Sequence, residues 1–350
     1  MKSKVLSWVL GAAVSAFAVS AATAGTLDDI KTKGFVQCGV TTSLAGFAVP
    51  DANNNWSGMD VDYCRAVASA IFNDPQKVKF TPLNAKERFT ALQSGEVDLL
   101  SRNTTWTMSR DTSLGLKFAG VMYYDGQGFM VHKAMNIKSA SELDGATVCT
   151  QTGTTTELNL ADFFKAHNMK YQVVAMENDD EVRGAYEAGR CDIFTTDQSG
   201  LYAERLALKN PDEHVVLPDI ISKEPLGPLV RQGDDAWFNV IKWTYFALLT
   251  AEEFGITQAN VDDMVKAASE PNGNPELKRI LGIKNEDGSA AGFGTGIGLD
   301  EEWIVHIVKG VGNYGEIFER NVGVGTPLKI ARGKNALWKD GGLQYAPPIR

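Results

Sequence analysis

The sequence predicts an α/β protein of two lobes, each a helix-flanked, mainly parallel sheet, with two strands crossing between them. Three observations predict it. Short β-type runs alternate with amphipathic helical runs, which is the pattern of parallel sheets covered by helices. One helix–glycine–strand unit occurs twice, and two extended segments lie where a chain would leave one lobe and return to it.

The chain has 350 residues and opens with Lys2 and Lys4, an apolar run from Val5 to Val19, and the small-residue pattern Ala22-Thr23-Ala24. This is the layout of a secretory signal peptide over residues 1–24, cut after Ala24. An uncleaved anchor is the alternative, but no positive stop-transfer cluster follows the run. The first cysteine is Cys38, far from the cut, so a lipid-anchored mature end is not expected. The remainder has no second long apolar run and is expected to be soluble and exported. It is long enough for two domains. Net charge is −9, and losing two signal lysines makes it more negative. An acidic surface disfavours nucleic acid and anionic lipid as partners.

Four cysteines in an exported chain suggest two disulfides, with three pairings to choose from. Cys38 lies on a strand-like run beside Val36 and Val40, and Cys64 on a helical stripe with Val61, Val67 and Ile71. Cys149 and Cys191 lie in strand-like runs further on. Cys38–Cys64 with Cys149–Cys191, one staple per lobe, is the economical pairing. Four buried thiols are the alternative.

The repeated unit is Ala91-Leu-Gln-Ser-Gly95-Glu-Val-Asp98-Leu-Leu, ending in Arg102-Asn103-Thr104-Thr105, and Ala185-Tyr-Glu-Ala-Gly189-Arg-Cys-Asp192-Ile-Phe, ending in Thr195-Thr196-Asp197. Each is a helix with a glycine cap, a buried strand, and polar residues at the strand's carboxyl end. That end is where open α/β sheets bind ligands. Tyr124 to Val131 reads as the strand leaving the first lobe, and Glu224 to Gly233 as the return. The expected lobes are residues 25–128 with 229–350, and residues 129–228. Ser139-Ala-Ser-Glu142 is a capping box for a short helix stopping at Gly145. Trp237 to Phe254 is an aromatic-rich helix packing on the first lobe. From about residue 271 the composition shifts to an extension, glycine-rich at 292–298 and helical at 301–309, expected to be an added layer or strap.

The sharpest local signal is Val148 to Leu158. A strand enters a turn at Gly153, and Thr154, Thr155 and Thr156 open a helix with Glu157 in its first turn. Free N–H groups and the positive helix end favour a carboxylate there, although the same residues also suit a simple Thr cap. Arg110 follows the first unit, and its planar fork matches a carboxylate. Asn103 and Thr105 share one strand face, Arg102 and Thr104 the other, so only one pair is expected in the cleft. Asp197 suits an ammonium partner or a helix N-cap. Enzyme signatures are weak: the four histidines lack metal-ligand spacing, and no nucleophile elbow or Walker loop is found. Gly310-Val-Gly312-Asn-Tyr-Gly315 follows a helical run, not a strand, and reads as coincidence.

With Gly58-Met-Asp-Val-Asp62 opening an Ala-rich helix, the Ala91–Asp98 unit, Arg110, the Thr-Gly-Thr-Thr turn and Thr-Thr-Asp197 in order, the chain resembles the periplasmic solute-binding proteins of polar amino-acid ABC importers. The Gly-Val-Gly-Asn-Tyr-Gly and Gly-Gly-Leu-Gln-Tyr345 tail is similar to their general L-amino-acid branch, and the resemblance covers nearly all of residues 26–350. It implies the type II periplasmic binding protein fold, closing like a hinge on a free L-amino acid. It further implies no cofactor, a monomer, and membrane permease subunits as the partner. By the same resemblance Arg110 and Thr155 hold the α-carboxylate. The Asn103 carbonyl, Thr105 and Asp197 hold the α-ammonium, and Thr154 lines the mouth. Where many relatives carry an acidic residue and an aromatic lid, this chain has Thr41 and Leu44. Phe47 is expected to supply a wall, and the missing side-chain partner points to broad selectivity. An enzyme on the same scaffold, or a ligand-binding subunit serving a receptor, are the rival functions.

Overall fold

A computed structural model describes residues 25–285 and 287–350; the expected signal peptide lies outside the described residues. Each lobe is built on a five-stranded sheet. The first has the order Val78–Pro82, Val36–Val40, Leu99–Leu100, Leu229–Arg231, Leu116–Phe118. The second has the order Tyr171–Met176, Ala146–Gln151, Ile193–Asp197, Gln127–His132, His214–Val216. In each, the first three strands are parallel and the fourth runs antiparallel to both neighbours. Four of the five strands in each sheet thus run the same way, so each sheet is mainly parallel, with one reversed strand adjoining the crossover. The crossing strands Tyr123–Asp125 and Glu224–Leu226 pair antiparallel with each other.

Burial explains the strand assignments. Val36, Cys38 and Val40 are fully buried, as a strand covered on both faces requires. The following helix Met59–Phe72 buries most of its residues, since the sheet lies on one side and C-terminal helices on the other. Gly58 holds φ at 130°, and a Cβ there would stand 2.0 Å from the Phe47 carbonyl oxygen; only glycine fits. The disulfides are Cys38–Cys64 and Cys149–Cys191, with Cα separations of 6.3 and 5.6 Å. Cys191 sits just ahead of its strand, which begins at Ile193. The capping box at Ser139 is present but opens only a single 3₁₀ turn, Ala140–Glu142.

The helix Asp235–Glu253 packs on the first lobe, and the extension joins the same core through Trp303, Ile307, Tyr314 and Phe318. The extension is thus an added layer over Met59–Phe72. The glycine motif at 310–315 closes the helix Trp303–Val311, where Gly312 has φ 78°. Among the described residues no helix is long and apolar enough to cross a membrane.

Candidate functional site

The two lobes close on each other along the carboxyl ends of Leu99–Leu100, Ala146–Gln151 and Ile193–Asp197. Thr105 Oγ1 and Thr155 Oγ1 are 3.3 Å apart across the cleft, and Lys86 pairs with Glu177 at 2.9 Å. A narrow cavity of about 30 Å³ remains between them.

On the first lobe the strand stops at Leu100. Asp60 accepts from the Asn103 N–H at 2.9 Å and from the Ser101 hydroxyl at 3.0 Å. This is the work of the Gly58–Asp62 motif: one carboxylate ties down the loop that forms the cavity wall. Asn103 turns to φ 29°, so strand alternation ends before it. Arg102, Asn103 and Thr105 consequently all line the cavity, correcting the expectation that only one pair would. Burial pushes the Asp60 carboxyl up to about 6 despite these hydrogen bonds.

Arg110 lies on the helix Met108–Ser113, whose N-cap Thr107 accepts from the Arg110 N–H. Its Nη1 donates to the Thr105 carbonyl at 2.9 Å, and its guanidinium lies over the Phe89 ring. Arg110 is buried directly behind Thr105 and does not itself line the cavity. Burial lowers its pKa to about 10 while Glu224 and Asp197 oppose the fall, so it is charged at neutral pH.

On the second lobe, Thr154 and Thr155 stand at the start of the helix Thr155–Ala166, and no side chain caps it. The Thr154 hydroxyl donates to the Gln151 carbonyl at 2.7 Å, and that of Thr155 to Glu224 at 2.9 Å. Both line the cavity. Asp197 occupies the N-cap position of the helix Gln198–Ala207, yet its side chain makes no capping bond. The carboxyl is buried in the cleft. Burial, then Asp125 and Glu224, push its pKa well above the usual carboxylate range, against the pull of Arg88 and Arg110.

Phe47 does not form a cavity wall. It is buried in the core edge-on to Tyr123, with ring centroids 5.5 Å apart. A tight bridge between Leu44 and Ala48 turns it inward and leaves Leu44 lining the cavity.

Sequence reasoning missed Glu224, although it opens the recognised crossing segment. Buried at the hinge, it accepts from Thr105, Thr155, Asn159 and Ser222 at 2.6–2.9 Å. It also missed Arg88, Asp179 and Glu204, which line the cavity together with Arg102. No local signal separates them from solvated helix charges. Among the described residues no group of three metal-ligating side chains is found.

The chain belongs to the bacterial extracellular solute-binding proteins, family 3, whose model matches residues 36–258. It is 65% identical to the general L-amino acid-binding periplasmic protein AapJ of Rhizobium johnstonii, over the whole of both chains. It is 52% identical to the glutamate/glutamine/aspartate/asparagine-binding protein BztA of Rhodobacter capsulatus, over 97% of each. Among solved structures it is similar to an ABC transporter periplasmic binding protein from Brucella ovis with glutathione bound, at 63% identity and a TM-score of 0.89, covering 94% of this chain and 100% of that one. The fold is the type II periplasmic binding protein fold. Membership makes the chain a solute-binding protein and not an enzyme.

Proposed function

We propose that this chain is a periplasmic receptor that captures the zwitterionic head of polar L-amino acids, with broad selectivity, and delivers them to the permease subunits of an ABC importer. The observation that carries it is the placement of opposite charges around one closed cleft. The uncapped helix start at Thr155, with Arg110 just behind the wall on the Thr105 carbonyl, offers a carboxylate site. Asp197, Thr105 and the Asn103 carbonyl offer an ammonium site, and Thr154 lines the mouth. Asp125, Asp197 and Glu224 sit together in low dielectric, and Arg88 and Arg110 only partly offset the rise at Asp197, so an ammonium relieves this carboxylate cluster. Desolvating a zwitterion is costly unless both charges are met, which couples capture to closure of residues 129–228 against residues 25–128 and 229–350. The names of AapJ and BztA support both the ligand class and its breadth.

The Brucella ovis structure adds a specific second ligand, since the γ-glutamyl end of glutathione carries the same α-amino-acid head. The test is a thermal-shift screen of the ligand-stripped mature protein against the twenty L-amino acids and glutathione, followed by calorimetry. Stabilisation by several polar amino acids is expected. Stabilisation confined to acidic ligands would overturn the breadth, and none by any amino acid would overturn the function.

A further inference from the structure

Beyond the head-group residues the cavity is bounded by charges of both signs with no direct ion pair across it among the described residues. Arg88 and Arg102 come from the first lobe, and Asp179 and Glu204 from the second. Both arginines are 2% exposed. Arg88 lies over the Phe89 ring and makes one side-chain hydrogen bond, from Nη1 to Thr104 Oγ1 at 3.2 Å, while its buried Nε has no partner. Arg102 spends Nε on the Leu83 carbonyl and reaches Asn103 Oδ1 at 3.4 Å. A guanidinium has five N–H donors, so most of this capacity is unspent. Among the described residues neither arginine has a carboxylate within 4.0 Å. Facing them, Glu204 is buried and accepts from Arg183 at 2.8 Å. Arg183 also bonds Asp180, so Glu204 is only partly compensated. Asp179 opens the helix Asp179–Glu187 with no side-chain hydrogen bond of its own among the described residues.

We infer that Arg88 and Arg102 opposite Asp179 and Glu204 form a two-signed chamber for the ligand's side chain, and that this chamber sets the receptor's breadth. The inference rests on the proposed amino-acid function. A side-chain carboxylate, or the oxygen of a carboxamide, satisfies the arginine wall. An amide N–H, ammonium or guanidinium satisfies the acid wall. An aliphatic side chain satisfies neither and leaves buried charges unpaired, which is the arrangement that most strongly rejects a ligand. The acid wall also adjusts. Burial raises Glu204 to about 8, reinforced by Asp179 and opposed by Arg183. Burial likewise raises Asp179, against Arg102 and Arg88. Near neutral pH Glu204 can therefore hold its proton beside an acidic ligand and release it beside a basic one.

The test is calorimetry with glutamate, glutamine, arginine and valine on the wild type, Arg88→Met, Arg88→Lys, Asp179→Asn and Glu204→Gln. The wild type should bind the three polar ligands at least tenfold more tightly than valine. Arg88→Met should lower the glutamate-to-arginine affinity ratio at least tenfold, and Arg88→Lys should recover part of it. Asp179→Asn and Glu204→Gln should each shift the ratio the other way. Glu204→Gln keeps an acceptor for Arg183, and unfolding midpoints identify any variant that fails to fold, leaving the others to decide. Variants that weaken all ligands by one factor, or that leave the ratio unchanged, would overturn the chamber while a wild type that binds polar amino acids keeps the receptor function intact. A wild type that binds none of the four would overturn the function itself.

Discussion

The hydroxyls of Thr105 and Thr155 stand 3.3 Å apart across the cleft and donate to the same oxygen of Glu224, at 2.6 and 2.9 Å. Thr105 belongs to the first lobe's sheet end and Thr155 to a helix of the second, whereas Glu224 lies on a crossing strand between them. One carboxylate therefore ties both walls to the hinge when the cleft is shut. Replacing Glu224 by Ala removes the acceptor of four side chains, including Asn159 and Ser222. A buried donor left unsatisfied costs about 1–3 kcal/mol, so amino-acid affinity should fall at least tenfold. Calorimetry decides; affinity within threefold of wild type would show that closure does not depend on Glu224.

Arg110→Ala should abolish measurable capture without unfolding the protein. Truncating one partner of a buried, hydrogen-bonded charge pair costs roughly 2–5 kcal/mol. The helix itself survives, because the Thr107 cap bonds the Arg110 backbone N–H and not its side chain. Circular dichroism and calorimetry together check this. Arg110→Lys should fall between the two, since a point charge replaces a planar fork.

Much of this was legible before the structure, and what was not has identifiable causes. The crossing segments and the Thr154–Thr155 turn follow from local pattern, each visible in a window of about a dozen residues, whereas the disulfide pairs, 26 and 42 residues apart, follow from one staple per lobe. Arg102 was set on the wrong face because strand alternation was carried past Leu100. Asp60 pins the Asn103 N–H from 43 residues away and bends the chain out of the strand. Glu224 gains its meaning from Thr105 and Thr155, which are 119 and 69 residues distant. Arg88 lies on a short helix where an arginine ordinarily faces water, and it is instead buried against Thr104 and the Phe89 ring at the cleft. Phe47 was misplaced for the opposite reason: a bridge of five residues, Leu44 to Ala48, turns it into the core.

Binding should release protons near pH 6. Burial raises Asp125 to about 6, with Glu224 adding to the rise, and burial also raises Asp197 well above the usual carboxylate range in the same cluster. A raised carboxyl pKa means the cleft holds protons as pH falls through that value. A ligand ammonium stabilises the ionised carboxylates and expels those protons. Affinity should therefore increase with pH between about 5 and 7, by no more than about tenfold per unit for each proton released. Calorimetry at pH 6 in buffers of different ionisation heat measures the number directly. Proton uptake would contradict the assignment of this cluster to the ammonium.

The C-terminal extension grips the strand that enters the hinge. Asn335 Oδ1 accepts from the Tyr124 N–H at 2.7 Å, and its Nδ2 donates to the Tyr124 carbonyl at 3.2 Å. The Gln344 amide donates to the Val121 carbonyl and to Tyr314 Oη, both at 3.0 Å, and Tyr314 Oη donates to the Met122 carbonyl at 2.8 Å. Tyr245 completes the clasp by bonding both the Val121 carbonyl and Gln344. The carbonyls of Val121 and Met122 and both peptide groups of Tyr124 are thus held by side chains far away in sequence. Asn335→Ala strips both peptide groups of Tyr124 of their partner, at about 1–3 kcal/mol, which lowers the unfolding midpoint by a few degrees, on the order of 2–4 °C per kcal/mol for a large domain. The local effect is the more telling one. Amide exchange across residues 121–125 should quicken in the variant while exchange in the Ala146–Gln151 strand of the second lobe stays as it was. Unchanged exchange at 121–125 would mean that the pairing of Tyr123–Asp125 with Glu224–Leu226 holds the hinge without the extension.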